Sequence, residues 1–225
     1  IVSYNIQQGY SIDAQRNFDA QLDVFREVHP DIIGLAESDT NRIAHGNSDV
    51  VRYFADKLNM YSYYGPSPIT GTFGVALLSK YPIQNPATYF LYSYGEGELQ
   101  KEQTAAIVAE ITTGGKTFTV AVTHLGNSGP IYQQQEILEK LAGKENVFLV
   151  GDFNFAPGSD SYNLTVKSLY DSFMSRTENT SVPYEVDPMN RIDHIFVTPG
   201  TRIKECRYLT GPQSDHPAMF VEIDW

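Results

Sequence analysis

A single cysteine, Cys206, stands among the 225 residues, so an internal disulfide is excluded and the thiol reads as a buried structural group. Long hydrophobic runs are missing too: none approaches the roughly 20 residues that a bilayer-crossing helix needs. There is no linker, repeat or low-complexity tract, and no initiator methionine or signal peptide. The abrupt start on the strand-like Ile1-Val2-Ser3-Tyr4-Asn5-Ile6 is that expected of one domain, residues 1–225, excised from something longer. Positive charge is also in short supply. Sixteen Lys and Arg against 27 Asp and Glu leave a formal charge of −11, which opposes a nucleic-acid partner, because such binding is built from many Lys and Arg contacts to phosphates. A small phosphoester held through a divalent cation escapes that objection.

What is present is an ordinary globular balance, 41% hydrophobic and 19% charged, in a length that suits one large core. Strand-like segments recur at Ile1 to Ile6, Ile32 to Ala36, Phe73 to Ser79, Ala105 to Ile111, Phe118 to Thr123, Val147 to Val150, His194 to Val197 and Ala218 to Ile223. Several are almost continuously apolar, as strands covered on both faces are. Phe18, Leu22, Phe25 and Val28 mark an amphipathic helix stopped by His29-Pro30. A second helix carries Val51, Phe54 and Leu58, and a third runs from about Ile131 to Leu141. Gly114-Gly115 reads as a hairpin turn, and Tyr61-Ser62-Tyr63-Tyr64-Gly65-Pro66 as a strand ending in a turn, its rings packing and rim groups. Two packed sheets with helices outside, an α/β sandwich, are the expected architecture.

The polar residues of interest follow the strands. Gly151-Asp152-Phe153-Asn154 is entered from Val147-Phe148-Leu149-Val150, and residues two apart on a strand project from one face, so Asp152 and Asn154 are able to meet one ligand. The same residue types are ordinary turn formers. Asn5 lies late in the first strand, Glu37 follows the second, His124 follows Val120-Ala121-Val122-Thr123, and Asp193-His194 and Ser214-Asp215-His216-Pro217 flank the last two. Each has a plainer reading: Glu37 as a loop cap, Asp193 as a surface partner of Arg191, His124 as a hydrogen-bonded core histidine. Asp215-His216 sets an acid beside the strongest physiological acid-base group. Strand ends opening into loops are where layered α/β proteins gather ligands.

In order along the chain, Tyr4-Asn5-Ile6, the run from Pro30 to Glu37, Gly74 to Pro82, Thr123-His124-Leu125, Gly151 to Asn154, Arg191 to Ile195 and Ser214 to Pro217 resemble the endonuclease/exonuclease/phosphatase superfamily. The resemblance implies a DNase I-like four-layered α/β sandwich, two packed, mostly antiparallel sheets flanked by helices, hydrolysing phosphoesters with Mg²⁺, Mn²⁺ or Ca²⁺ being alternatives. It implies Glu37 as principal metal ligand assisted by Asn5 and Asp215. Asp152 would align or deprotonate the attacking water, with Asn154 fixing it. His216, oriented by Asp193, would be the acid-base or phosphate-stabilising group, and His124 would contact the phosphoryl oxygens. Superfamily nucleases often carry an Arg where this chain has Gln103-Thr104, which weakens the nuclease reading.

A closer resemblance, over Asn5 to Tyr10, Glu37 to Ile43, Gly46 to Leu58 and Thr70 to Gly74, is to the C-terminal domains of the fungal cell-wall-biogenesis membrane proteins that exchange GPI-anchor lipid for ceramide, and of their animal relatives. It implies cleavage or transfer at the inositol phosphate of a GPI-type lipid, with ceramide as a second partner. The setting would be the lumenal face of the endoplasmic reticulum membrane, beside a membrane portion of the same polypeptide. The triplets Asn163-Leu164-Thr165 and Asn179-Thr180-Ser181 fit N-glycosylation acceptors. Gln7, Gln8, Arg16, Arg42 and Asn47 are the candidate headgroup contacts. A Mg-dependent nuclease or inositol phosphate phosphatase, and a non-catalytic headgroup-binding module, remain as alternatives.

Overall fold

Apolar alternation and continuous apolar runs become, among the described residues, twelve strands and four α-helices. The computed structural model describes residues 1–42, 46–66, 73–91, 104–175 and 186–224; Thr70-Gly71-Thr72, Gln103 and the Asn179 triplet lie outside them. In chain order the elements are β1 (Val2–Asn5), α1 (Phe18–Val28), β2 (Ile32–Asp39), α2 (Val50–Leu58), β3 (Tyr61–Pro66), β4 (Phe73–Ser79) and β5 (Ile83–Leu91). They continue with β6 (Thr104–Thr113), β7 (Lys116–His124), α3 (Ile131–Leu141), β8 (Val147–Asp152), α4 (Asp160–Thr165), β9 (Tyr170–Asp171), β10 (Asp193–Val197), β11 (Arg202–Leu209) and β12 (Ala218–Asp224). None of the described helices is long and apolar enough to cross a membrane.

The helix signals end where their residues require. Asn17 caps α1 by accepting the Ala20 N–H at 3.0 Å, and His29, left-handed at φ 46°, stops it. Gly114 and Gly115, at φ 54° and 79°, make the two-residue turn between β6 and β7.

Two six-stranded sheets form, in the orders β11-β12-β1-β2-β4-β3 and β5-β6-β7-β8-β10-β9. Each contains one parallel pair at its middle, β1 with β2 and β7 with β8, and its other neighbours are antiparallel. Parallel pairing brings the carboxyl ends of both strands to one edge: Asn5 sits opposite Ala36, and His124 opposite Asp152. Between the sheets Leu77 of the first meets a core with Ile107, Val120, Val150 and Ile195 of the second. Outside the first sheet, Leu22, Phe25 and Phe54 of α1 and α2 cover Val2, Ile33 and Leu35. Outside the second, Ile137 and Leu141 of α3 and Tyr162 of α4 cover Ala121, Leu149 and Phe196. The order helix, sheet, sheet, helix is the expected four-layered sandwich. Gly34 marks a close approach of the sheets, since a Cβ there would lie 2.3 Å from Val150 Cγ2.

Candidate active site

A hydrogen bond between sheets ties the two parallel pairs together. Asn5, buried at the end of β1, donates from Nδ2 to Asp152 Oδ2 at 3.0 Å and to Glu37 Oε1 at 3.1 Å, while its Oδ1 accepts the Gln7 N–H at 3.0 Å. Its NH2 group therefore sets the spacing of two carboxylates from different sheets. Glu37 reaches this position through an irregularity. The β2–β4 register shifts between Leu35 and Ser38, and Glu37 sits there with a left-handed φ of 49°. Bulges re-aim side chains, and a non-glycine residue held left-handed costs about 1–3 kcal/mol. Gln8 Nε2 reaches the second oxygen, Oε2, at 3.4 Å. Both oxygens of Glu37 are thus met by neutral carboxamides, which orient the carboxylate and leave its charge uncompensated.

Gly151 explains the start of the neighbouring motif: a Cβ there would lie 2.0 Å from the Thr123 carbonyl oxygen, so only glycine lets β8 run this close to β7. Asp152, 2% exposed, then accepts the Asn154 N–H on Oδ1 at 3.0 Å, an Asx-turn that holds Asn154 at φ 51°. Asn154 Nδ2 donates to the Leu125 carbonyl at 2.9 Å and lies 3.3 Å from His124 Nε2. That ring nitrogen is 3.5 Å from Asp152 Oδ2. Asp152, Asn154 and His124 form one contiguous group.

His216 completes the floor from the loop before β12. Its Nδ1 donates to Asp193 Oδ2 at 2.8 Å, and its Nε2 stands 3.8 Å from Asp152 Oδ2. Burial works against its charged form, but the Asp193 hydrogen bond and the charges of Asp193, Asp152 and Asp215 outweigh it and push His216 up to about 9. Burial pushes Asp193 up as well, helped by Asp152 and opposed by the bond to His216. Asp193 Oδ1 is buried with no hydrogen-bond partner among the described residues. Ser214 places the loop: its hydroxyl donates to the Asn5 carbonyl at 2.7 Å and accepts the His216 N–H at 3.3 Å. Asp215 is exposed and accepts from Ser214 Oγ at 3.3 Å.

Arg191 does not pair with Asp193. It is buried against Asp171, to which Nη1 donates at 3.3 Å and Nη2 by a shorter contact, and Tyr162 O–H adds a bond to Asp171 at 2.9 Å. Nη1 also faces His194 Nδ1 at 2.8 Å. A guanidinium only donates, so His194 Nδ1 accepts and Nε2–H donates to the Phe155 carbonyl at 2.9 Å. Burial holds His194 down at about 4, a neutral ring. Tyr208 O–H donates to the Asp193 backbone carbonyl at 2.6 Å. This network underlies the start of β10. Asp171 and Tyr208 sit on β9 and β11, strands without a clear apolar signature, so only Arg191, two residues before Asp193, signalled it.

The headgroup candidates are less gathered. Gln8 joins Glu37, whereas the Gln7 carboxamide, oriented to use its donors, meets the Tyr10 and Ser11 carbonyls at 3.1 and 3.3 Å. Arg16 lies over the Phe18 ring at 4.9 Å and donates to Ser48 Oγ at 3.1 Å, bridging the loops after β1 and β2. Asn47, at φ 54°, closes that second loop by donating its N–H to the Arg42 carbonyl at 3.0 Å.

Residues 2–178 match the family model described as PGAP2IP, C-terminal nuclease-like domain. The chain belongs to that family. Within the wider relationship, protein cwh43 of Schizosaccharomyces pombe is 41% identical over 104 residues, which are 46% of this chain and 10% of that much longer relative. The fold of the PGAP2IP-type domain is that of the endonuclease/exonuclease/phosphatase superfamily. A member from Bacteroides vulgatus superposes with a TM-score of 0.78 at 20% identity, over 99% of this chain and 97% of that one. The mannosyl-6-phosphatase of Bacteroides thetaiotaomicron gives 0.74 at 18% identity, over 100% and 98%.

Proposed function

We propose that this PGAP2IP-type domain is a metal-dependent phosphoesterase that cleaves or transfers at the inositol phosphate of a GPI-type lipid. In this reading it works at the lumenal face of the endoplasmic reticulum membrane, as part of a longer chain, with water or the hydroxyl of ceramide as acceptor. The observation that carries the chemistry is the convergence of Asn5, Glu37, His124, Asp152, Asn154 and the Asp193–His216 pair at adjoining strand ends. The substrate assignment is supported by membership of the family and the likeness to cwh43. The mannosyl-6-phosphatase on the same fold is consistent with a sugar or polyol phosphate.

The donor set fits a hard divalent cation. Glu37 is a partly exposed carboxylate whose oxygens are met only by neutral amides among the described residues. Asp152, Asp193 and His216 also offer ligand atoms within 4.8 Å of one another, but Asp193 and His216 already share a proton, so we assign the cation to Glu37, with Asn5 and Asp215 as the other candidate ligands. Mg²⁺ bound there would supply positive charge to an anionic phosphoester.

The chain's own groups divide the remaining work. Asp152, anchored by Asn5 and the Asn154 N–H, takes the proton of the attacking hydroxyl. His216, protonated at neutral pH, presents Nε2–H to the phosphoryl oxygens or the leaving oxygen, and Asp193 fixes its ring. Asn154 and His124 hold the phosphoryl group from the other side.

The test is release of product from a glucosaminyl-inositol phosphodiester lipid, with Mg²⁺ and with chelator. Chelation, Glu37→Ala and His216→Ala should each abolish turnover in a folded chain; turnover that survives both substitutions refutes the assignment. Faster Mg²⁺-dependent hydrolysis of DNA or an inositol polyphosphate would move the substrate class.

A further inference from the structure

We propose that Gln21 of α1 is a positioning residue that locks the Asn5 segment and the His216 loop against each other. The residue is anomalous where it stands. It is fully buried on the face of α1 that otherwise carries Leu22 and Phe25, and burying a carboxamide there is unfavourable unless its hydrogen bonds are made. Its Nε2 donates to the Ile6 carbonyl at 2.9 Å and the Gln213 carbonyl at 2.8 Å, with the Tyr10 carbonyl at 3.5 Å. An amide nitrogen has two hydrogens, and the two short bonds use both. Its Oε1 is buried without a partner among the described residues, so the contacts of the group are made by its donor half.

The two carbonyls are informative. Ile6 follows Asn5, and Gln213 opens the stretch Ser214-Asp215-His216. The antiparallel ladder of β1 with β12 pairs Val2 with Phe220 and Ser3 with Met219 and goes no further. Beyond it the chains that carry Asn5 and His216 part. Gln21 bridges that gap from the helix layer, beside the Ser214 hydroxyl bond to the Asn5 carbonyl and the Ile12 N–H bond to the Pro212 carbonyl at 3.1 Å. Gln21 thus adds, from outside the sheet, a second tie beside the Ser214 bond between the segment of Asn5, which spaces the carboxylates, and that of His216.

The test compares Gln21→Met, which keeps the volume and removes the donors, and Gln21→Glu, which sets oxygens against carbonyl oxygens, with Val24→Ala, a buried truncation on the same helix that carries no hydrogen-bonding group. The first readout is the downfield proton resonance of His216 Nδ1–H in its bond to Asp193. It should vanish or broaden in both Gln21 variants and persist in Val24→Ala. The second is turnover, which rests on the phosphoester reading: kcat should fall at least ~10-fold with KM within about 2-fold, because misplacement by about 1 Å costs on this scale or more. Val24→Ala should keep the wild-type kcat per folded molecule. Should Gln21→Glu fail to fold, Gln21→Met decides. Retention of the resonance and of kcat in Gln21→Met overturns the proposal, as does equal loss of both in Val24→Ala. A wild-type chain without turnover refutes the phosphoester reading instead, and the imidazole resonance still decides the role of Gln21.

Discussion

His216 donates its Nδ1–H to Asp193 across 2.8 Å, while the other oxygen of that carboxylate is buried without a hydrogen-bond partner among the described residues. The pair fixes the ring and its charge at the expense of a buried carboxylate. Asp193→Asn keeps the shape and an acceptor for Nδ1 but removes the charge. We expect turnover to fall at least ~100-fold with an unchanged or higher melting temperature, a divergence that parallel kcat and thermal-unfolding measurements will register.

Glu37 combines a candidate ligand with a left-handed backbone at φ 49°. Glycine adopts that conformation freely, so Glu37→Gly should be at least as stable as wild type, to within about 1 kcal/mol, and inactive. Urea unfolding and a turnover assay on one preparation separate the effects; a large destabilisation would show that the bulge depends on the side chain.

Arg191→Met leaves Asp171 as an uncompensated buried charge, and breaking such pairs costs about 3–5 kcal/mol. The same change with Asp171→Asn should recover much of that loss in urea unfolding. Arg191→Lys should rescue poorly, since the guanidinium serves Asp171, His194 and the Pro188 carbonyl together.

His194 predicts a pH dependence of defined sign. Burial lowers it from 6.5 to about 4, so the unfolded chain binds a proton that the folded chain refuses between those values. Its contribution is complete above pH 6.5 and is lost as pH falls through about 4, amounting to about 3 kcal/mol. Asp193 acts in the opposite sense over part of this range, so the proper measure is a difference. The stability gap between wild type and His194→Gln should narrow by about that amount from pH 7 to pH 4. Nitrogen-15 NMR should find the His194 ring neutral at pH 5 and the His216 ring still doubly protonated at pH 8.

Strands buried on both faces were legible in the sequence because their apolar runs are continuous: Val147-Phe148-Leu149-Val150 and Ile32-Ile33-Gly34-Leu35 leave little choice. Of the helices α1, α2 and α3 were read from the sequence, whereas the six-residue α4 was not, and Gly114-Gly115 showed itself by its turn chemistry. Of the edge strands, β3 was read from Tyr61 to Pro66, whereas β5, β9 and β11 escaped. On β11 only Ile203, Cys206 and Tyr208 of eight residues are buried, with a register shift between Ile203 and Glu205 that breaks the alternation. β5 buries only Leu91 of its nine residues and is likewise interrupted by a shift, between Gln84 and Ala87. Among candidate site residues, those at strand ends were legible because a polar group after an apolar run stands out. Ser214 lay within a recognised motif without a role. Gln21 was hidden because a lone glutamine beside Leu22 reads as the border of the apolar face, and only the three carbonyls above it reveal otherwise.

Glu37 descends from the same strand as Gly34, three residues earlier, where a Cβ would lie 2.3 Å from Val150 Cγ2 and the sheets leave no room for one. The candidate site groups are divided between those sheets, Asn5 and Glu37 on one and His124 and Asp152 on the other, so the gap between sheets is also the span of the proposed site. An absent methyl group acts here as a spacer. A wedge of that size at Gly34 would pry the halves apart and detune the proposed chemistry while every candidate side chain remained in place, which makes the core of this sandwich a part of the tolerance of that site.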